Sequence, residues 1–414
     1  MAVRTPTGPL AGLKVIELCH IMAGPACGVM LADMGADVIK VEKVPGGDDT
    51  RSFVPPQIGD ESAAFLMMNR NKRGIAVDLK SEDGKAVLRR LLHDADVVTE
   101  NYRRGVMEQM GFGYETLRHE NPRLIYCSIS GFGRTGPYAD RAGFDLVAQG
   151  MSGLMSITGE GPGRPPIKVG APVTDITAGI LAAMGILAAL HHRARTGVGQ
   201  MVDTSLFEAG IVQTYWQSAI ALATGRAPGP MGSAHPLNAP YEAFETGDGW
   251  ITVGAANQAN WLRLVALLGV QTLADEPKFA TNADRIRNRV ELARTLAPHF
   301  RARSSKEWLN ALERAKIPAG PVLDVIQMHT DAQTMARGMV AETEHSQLGS
   351  VRTIGHPVKF SATPASLRRG APVYGEHTRE VLREHGFSTG EIDRMAKSGA
   401  IHLARMKTVA VKAE

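Results

Sequence analysis

Cysteine is scarce in this chain, and the few that occur are far apart. Three are present in 414 residues, Cys19, Cys27 and Cys127, an odd number that supports neither a disulfide framework nor a cluster of thiolate ligands. Histidine and glutamate pairs with metal-ligand spacing, such as H-E-x-x-H, are missing too. We therefore predict a protein of a reducing compartment without a metal site.

Neither sign of charge dominates. The 46 basic and 42 acidic residues leave a net charge of +4 and interleave along the chain, so no nucleic-acid footprint stands out. Residues 1–7 lack the apolar stretch of a signal peptide, and the apolar run Ala178 to Leu190 falls short of the ~20 residues that cross a bilayer. We expect a cytoplasmic protein that binds neither nucleic acid nor a membrane.

Strand and helix patterns alternate over the first 130 residues. A strand at Lys14–Leu18, a loop at Ala23-Gly24-Pro25, a helix from about Ala26 to Met34 and a strand at Asp37–Glu42 form a β-α-β unit. Three further strands continue this rhythm, and Ser81 is expected to cap a helix between them. The pattern predicts an α/β fold with an open, mostly parallel, doubly wound sheet.

The length of the chain predicts two domains. Gly225 to Pro240 is rich in glycine and proline and is predicted to be a linker. From Tyr241 the pattern changes to a strand at Ile251–Gly254 and amphipathic helices from about Gln258 to Leu312. This predicts a second, smaller α+β domain.

Asp175 is the most informative single residue, because it precedes an apolar helix with almost no polar neighbours. One interpretation is a helix N-cap, whose oxygen accepts a free backbone N–H. The other is a nucleophile, because carboxylates can attack acyl carbons and form covalent intermediates. The two can coexist, since the N–H groups of a helix start would hold the carboxylate and keep it ionised.

A cofactor or ligand site is expected near the ends of the early strands. The first strand–helix turn does not have the G-x-G-x-x-G spacing, so a nicotinamide enzyme is a poor fit. Basic residues cluster near the strand ends, where open α/β sheets bind ligands, and they suggest a phosphate-bearing ligand such as coenzyme A. These residues are Lys40, Lys43, Arg70, Lys72, Arg73 and Lys80.

An ordered set of segments resembles the class III coenzyme A transferases, the family of formyl-CoA transferase and carnitine CoA-transferase. The resemblance runs from Pro9 to about Phe387. It rests on Leu10-Ala11-Gly12-Leu13-Lys14-Val15, Ala23-Gly24-Pro25, Gly35-Ala36-Asp37-Val38-Ile39-Lys40-Val41-Glu42, Asn69-Arg70-Asn71-Lys72-Arg73, Glu100-Asn101-Tyr102, Gly131-Phe132-Gly133, Asp175 with its Ala/Gly helix, Thr196-Gly197-Val198-Gly199-Gln200 and Gly375-Glu376-His377-Thr378.

The resemblance implies a fold and a mechanism. It implies a Rossmann-like large domain over 1–224, a linker over 225–240, a small domain over 241–335, a return segment over 336–414 that completes the large domain, and an interlaced homodimer. It also implies that Asp175 is the catalytic nucleophile, which passes through an aspartyl anhydride and an aspartyl-CoA thioester. No permanently bound cofactor is implied; the CoA thioester is a substrate. The residues implied to contact CoA are Lys43, Val77, Asp78, Leu79, Lys80, Asn101 and Arg141.

Departures from the family pattern suggest the substrate. Met22 stands where formyl-CoA transferase has glutamine and Gln109 where it has an arginine, so we do not expect an oxalate enzyme. Gly232 to Phe244 looks like the succinyl-CoA:glutarate branch, which predicts succinyl-CoA as donor and a short dicarboxylic acid as acceptor. Arg51, Arg103 and Arg141 are candidate anchors for the second carboxylate.

The alternative is a 2-methylacyl-CoA racemase of the same fold. Racemisation requires a base on each side of the α-carbon, and that branch places a histidine in an A-G-H-D segment. Here the segment is Ala142-Gly143-Phe144-Asp145, and phenylalanine cannot carry a proton. The sequence therefore favours the transferase.

Overall fold

The computed structural model describes residues 7–405, and these form two compact units. The first unit contains the described residues up to Ser152, Gly170–Val212 and those from Ala332 onward; the second contains Gly153–Val169 and Gln213–Asp331. This division differs from the predicted boundaries, because residues 153–169 and 213–224 group with the second unit. Residues 1–6, which carry most of the signal-peptide argument, lie outside the described part.

Fourteen strands are present in the described residues. They are β1 (Lys14–Leu18), β2 (Asp37–Lys43), β3 (Gln57–Ile58), β4 (Glu61–Ser62), β5 (Arg73–Val77), β6 (Val97–Glu100), β7 (Ile125–Ser130), β8 (Met201–Ser205), β9 (Tyr241–Glu245), β10 (Trp250–Gly254), β11 (Ala319–Pro321), β12 (Val340–His345), β13 (Gly349–Ile354) and β14 (Ile401–His402). Each strand predicted in the first 130 residues is present, shifted by at most two residues at either end.

Eighteen α-helices are described. They are α1 (Ala23–Asp33), α2 (Ala63–Met68), α3 (Glu82–His93), α4 (Val106–Gln109), α5 (Tyr114–Glu120), α6 (Asp145–Met151), α7 (Leu154–Ile157), α8 (Val173–Thr196), α9 (Leu206–Val212), α10 (Tyr215–Thr224), α11 (Gln258–Leu268), α12 (Asn282–Arg287), α13 (Arg289–Arg301), α14 (Ser305–Arg314), α15 (Val325–Thr330), α16 (Ala332–Ala336), α17 (Thr378–Glu384) and α18 (Thr389–Ser398). Ser81 caps α3 as predicted, since its hydroxyl accepts the N–H of Gly84 at 3.0 Å.

A seven-stranded sheet forms the centre of the first unit, in the order β14-β5-β2-β1-β6-β7-β8. All neighbours are parallel except β14, which is antiparallel to β5. From β1, the chain first adds β2 and β5 on one side and then β6, β7 and β8 on the other, so the order of the strands reverses at β1. Doubly wound folds bind ligands in the crevice at such a switch point. The mixed α/β fold with a large, mostly parallel sheet is therefore confirmed.

Helices cover both faces of this sheet because its strands are apolar on both sides. Ile16, Ile39 and Val98 face a core shared with α3, α17 and α18. Val15 and Val38, one residue earlier on their strands, face the opposite core. That second core is filled by α1 and by alanines of α8, so α8 is the helix that closes this face.

The start of α1 differs from the prediction. Ala23-Gly24-Pro25 is the first turn of the helix rather than a loop before it. Proline is tolerated there because a first-turn N–H has no intrahelical partner in any case. Gly35, with φ of 105°, follows the end of the helix as predicted.

Helix α8 is longer than the apolar run that predicted it. It spans 24 residues with a mean hydropathy of 1.9 over its most apolar window, long and apolar enough to cross a membrane by length and composition. The prediction that no segment is long enough is therefore wrong, because Val173–Thr177 and His191–Thr196 extend the helix at both ends. Its packing against α1 and the sheet is what a core helix shows.

The second unit has a separate core. Strands β9, β10 and β11 form an antiparallel sheet, and α11 to α14 pack against it around Trp261, Phe279, Phe300 and Trp308. The predicted linker, 225–240, holds neither helix nor strand in its described residues.

Candidate active site

A cavity of about 480 Å³ opens at the carboxyl ends of β1, β6 and β7, beside the switch point of the large sheet. The residues after β1 and β6, the end of β7 and the beginnings of α1 and α8 form its wall. Lining residues include His20, Met22, Asn101, Arg103, Arg141, Phe144 and Asp175. The predicted nucleophile therefore lies where this fold class binds its ligands.

Asp175 is the third residue of α8 and not its N-cap. Pro172 occupies the cap position, and its side chain cannot accept a hydrogen bond. The cap comes instead from Asp145, the first residue of α6. Asp145 Oδ1 accepts the backbone N–H of Thr174 at 3.0 Å and its hydroxyl at 2.7 Å. The cap interpretation of Asp175 is therefore wrong, and its carboxylate is left free to face the cavity.

Burial, together with the charge of Asp145, raises the pKa of Asp175 from 3.8 to about 7. The expectation that N–H groups at the helix start keep this carboxylate ionised is therefore wrong. Loss of water and the nearby negative charge of Asp145 both disfavour the ionised form of this half-buried carboxylate. A carboxylate with a raised pKa is more basic and a better nucleophile once it is ionised.

Close contact between α1 and α8 sets the position of Asp175. Gly179 lies one turn after Asp175, and a Cβ at this position would lie 2.7 Å from the carbonyl oxygen of Ala23 and 2.8 Å from Cβ of Ala26. Only glycine allows this approach without a backbone shift. The N-terminal ends of the two helices therefore meet at one wall of the cavity.

The loop after β1 is held by Asn101. The Asn101 side chain accepts the N–H of His20 at 3.0 Å and donates to the carbonyl of His20 at 2.8 Å. The next residue, Ile21, has a φ of 69°, a conformation that β-branched residues rarely adopt, and its N–H donates to Asp48. Such strain persists only where its surroundings enforce it and is often found at functional sites.

The residues expected to contact CoA occupy one edge of the sheet but not a single pocket. Asn101 and Arg141 line the cavity with Asp175, whereas Lys43 lines a smaller pocket that shares His20 and Tyr102 with it. Val77–Lys80 line neither of these pockets. Val77 is buried and pairs with Lys43 on the neighbouring strand, while Lys80 is exposed. All lie at or after the carboxyl ends of strands; Arg141 is the most distant along the chain, in the loop between β7 and α6.

The predicted cationic cluster is mostly internal. Lys40 and Lys72 are fully buried and both pair with Glu17, while Arg70 pairs with Asp33 and Arg73 with Asp37. These four side chains therefore cannot form a phosphate site. Of the six residues, Lys43 and Lys80 are exposed, and Lys43 contacts the exposed Asp49.

The three candidate anchors for a second carboxylate differ in whether they are already paired within the fold. Arg51 donates to Glu42 at 2.7 and 2.8 Å and to Glu61 at 3.1 Å, so it is already neutralised within the fold. Arg103 and Arg141 are exposed at the cavity and form no ion pair with any described residue. Arg141 lies over the ring of Tyr138, 4.0 Å from its centre. Two of the three candidates are therefore available to an anion.

Sequence reasoning missed two residues that line the cavity, His20 and Tyr102, and one that lies behind its wall, Asp145. His20 and Tyr102 follow β1 and β6 by two residues each, and their rings meet edge to face at 5.4 Å. Their position after adjacent parallel strands was the signal that could have identified them. Asp145 carried no such signal, because its role depends on Thr174, 29 residues away in the sequence.

Phe144, which stands at the position of the racemase histidine, lines the cavity and is 65% exposed. Its ring carries no titratable group.

Among residues 7–405, no group of three or more histidine, cysteine or acidic side chains is placed to hold a metal ion.

Comparison with known proteins identifies relatives over nearly the whole chain. The sequence model described as CoA-transferase family III matches residues 10–378. A succinate–glutarate CoA-transferase from Agrobacterium fabrum is 43% identical over 382 residues, which cover 91% of this chain and 95% of the relative. An acetyl-CoA:oxalate CoA-transferase from Acetobacter aceti is 38% identical over 383 residues, covering 92% of this chain and 96% of the relative.

A solved structure agrees with the fold. The crystal structure of a CAIB/BAIF family protein from Brucella suis is 41% identical and superposes with a TM-score of 0.81. The match covers 92% of this chain and all of the other. Similarity therefore extends through both units.

Proposed function

The chain belongs to CoA-transferase family III, and from this premise we propose that it transfers CoA from succinyl-CoA to a short dicarboxylic acid, with Asp175 as the covalent nucleophile. The single observation that carries the proposal is the position of Asp175. It is a half-buried carboxylate with a raised pKa at the switch-point cavity of the large sheet.

The proposed reaction proceeds through Asp175 in four acyl exchanges. Its carboxylate attacks the thioester carbon, the C–S bond breaks, and an aspartyl anhydride and CoA thiolate form. The thiolate attacks the aspartyl carbonyl, which releases succinate and leaves an aspartyl-CoA thioester. The acceptor carboxylate then displaces CoA to form a second anhydride, and the thiolate attacks its acceptor carbonyl. The acceptor leaves as its CoA thioester and Asp175 is regenerated, so the thioester's energy is conserved.

Three residues of the cavity support the binding of an anionic thioester. Arg103 and Arg141 offer guanidinium groups without an ion-pair partner among the described residues. We propose that Arg141 contacts CoA and that Arg103 attracts a carboxylate of the acid substrate, since a planar guanidinium can bind a carboxylate through two hydrogen bonds. Asn101 supports the site by holding the loop at His20.

We propose that the remaining residues predicted to contact CoA bind it along the same edge of the sheet. Lys43 is exposed beside the smaller pocket, and Lys80 and the chain at Asp78–Leu79 follow the adjacent strand. Because the carboxyl ends of β2 and β5 are neighbours, one extended nucleotide could lie along both. No permanent cofactor is required by this chemistry.

The identity of the substrates is tested by an acceptor panel. The purified protein is incubated with succinyl-CoA and dicarboxylates of four to six carbon atoms, with monocarboxylates of matched length as controls, and products are identified by mass. We expect CoA esters of the dicarboxylates. The panel must also include oxalate as acceptor with acetyl-CoA as donor, because the relative from Acetobacter aceti, of comparable similarity, is an acetyl-CoA:oxalate CoA-transferase. Transfer to monocarboxylates alone, or to oxalate from acetyl-CoA alone, would show that the substrate assignment is wrong.

We also propose that the protein is a homodimer. Four large apolar side chains form a stripe along α8, Ile176, Ile180, Met184 and Leu187, with exposures of 36, 46, 60 and 38%. Their spacing places them on one face of the helix. A contiguous apolar face of this kind is normally covered in a protein interface.

Met184→Glu is expected to weaken this dimer, because it places a charge in the stripe. Light scattering should give about twice 44.4 kDa for the wild type and a lower mass for the variant. The matched control is Met335→Glu, the same change at an exposed methionine of α16. A wild type that is monomeric at assay concentration would contradict the proposal.

A further inference from the structure

Asp145 holds the first turn of the nucleophile's helix from outside that helix. Its Oδ1 accepts two hydrogen bonds from Thr174, the residue directly before Asp175. Its Oδ2 accepts a hydrogen bond from the fully buried side chain of Gln149 at 2.8 Å. Both oxygens of Asp145 are therefore engaged, and its carboxylate has a fixed place.

This arrangement is not an ordinary cap. Helix caps are supplied in most cases by the residue at the cap position itself, but Pro172 cannot provide one. The cap for α8 comes instead from a charged residue of α6. The same side chain therefore fixes the backbone at Thr174 and brings a second negative charge close to Asp175.

We propose that Asp145 is a positioning residue for the nucleophile, which orients Asp175 through Thr174 and places its own carboxylate beside it. This inference rests on the proposed covalent role of Asp175. A more basic carboxylate attacks an acyl carbon more readily, and a fixed first turn keeps its oxygen directed at the cavity.

The electrostatic environment supports the proposal. Burial contributes most to the raised pKa of Asp175, and the negative charge of Asp145 raises it further. Asp145 lies behind the cavity wall, and the charged or titratable groups that line the cavity beside Asp175 are His20, Asp49, Tyr102, Arg103, Arg104, Asp140 and Arg141. Asp145 differs from Asp49 and Asp140 because hydrogen bonds from Thr174 hold it next to the start of α8.

The test separates charge from position. Asp145→Asn keeps an oxygen that can accept from Thr174 but removes the charge, so the midpoint of the kcat/KM profile against pH should fall by about one unit. At high pH its kcat should fall about 3–10-fold, because a less basic carboxylate is a weaker nucleophile. Asp145→Ala removes the cap as well, and its kcat should fall by about 10²-fold. Asp393→Asn, which neutralises an exposed acid of α18, should leave the profile unchanged.

An unchanged pH profile in Asp145→Asn would overturn the role of the charge, and equal kcat values in the two Asp145 variants would overturn the role of the cap. A wild type without CoA transfer would contradict the proposed function instead. In that case, the titration of Asp175 is measured from stability instead of activity. The difference in the free energy of unfolding between Asp145→Asn and the double variant Asp145→Asn/Asp175→Asn depends on pH, and its midpoint gives the pKa of Asp175 without the charge of Asp145. If this midpoint is as high as the one measured between the wild type and Asp175→Asn, the inference is overturned.

Discussion

Asp175→Asn is expected to lower kcat/KM for CoA transfer at least about 10³-fold, because the amide cannot form the anhydride on which each exchange depends. The variant should still bind CoA, since no predicted CoA contact is altered. The measurement is the rate of product formation from succinyl-CoA at saturating acceptor. Asp140→Asn is the matched control, because it changes another acid of the same cavity that has no proposed role in the chemistry. Retention of near wild-type turnover by Asp175→Asn would contradict the covalent mechanism.

The same substitution should increase stability in a defined pH range. The pKa of Asp175 is raised from 3.8 to about 7 in the fold, so ionised Asp175 is disfavoured relative to the unfolded chain. Its contribution to stability is fully present below pH about 4 and is lost as pH rises to about 7. The advantage of Asp175→Asn over the wild type should therefore grow between these values and stay constant above them. In parallel, wild-type kcat/KM should rise with pH through about 7.

The largest loss of stability is expected from Glu17→Gln. Glu17 is fully buried, and its two oxygens pair with the buried amines of Lys40 at 3.1 Å and Lys72 at 2.8 Å. Burial lowers the pKa of Lys72 despite the opposing charge of Glu17, which indicates how strongly this amine depends on its partner. Removing the central charge leaves two buried ammonium groups undercompensated. We expect a loss of about 3–5 kcal/mol in the free energy of unfolding.

The surrounding structure offers little room for this cluster to relax. A Cβ at Gly28 of α1 would lie 1.7 Å from Oε2 of Glu17, so the helix packs directly on the carboxylate. Lys40 also pairs with Asp48 at 2.8 Å, and Asp48 accepts the N–H of Ile21 at the cavity. Denaturant unfolding measures the loss. Glu82→Gln, which breaks an exposed pair with Lys85, is the control and should change little. A comparably small effect for Glu17→Gln would show that the buried pairs are not important for stability.

The strands could be predicted from the sequence, whereas the pairing of buried charges could not. Strands such as Lys14–Leu18 were located correctly because their signal is a local run of apolar residues between turns. The resemblance to the transferase family, confirmed by the matching relatives, singled out Asp175 among many acids as the expected nucleophile. Its place at the switch-point cavity depends on the close packing of α8 against α1, which the sequence did not reveal.

The failures arise from contacts between residues far apart in the sequence. Lys72 looked like a ligand-binding cation because its partner, Glu17 of β1, lies 55 residues away in the sequence. Likewise, Asp175 looked like a cap because the true cap, Asp145, lies in a different helix. A local pattern records the type of a side chain, but whether its charge is neutralised depends on the folded arrangement.

Covalent trapping of Asp175 tests the central claim most directly. The protein is incubated with succinyl-CoA, treated with hydroxylamine, digested and analysed by mass spectrometry, with Asp175→Asn as the control. If Asp175 is the nucleophile, the peptide that contains it should carry a hydroxamate in place of the carboxylate, and the control peptide should not. Recovery of unmodified Asp175 from protein that is turning over succinyl-CoA, or a hydroxamate on another acid, would contradict it.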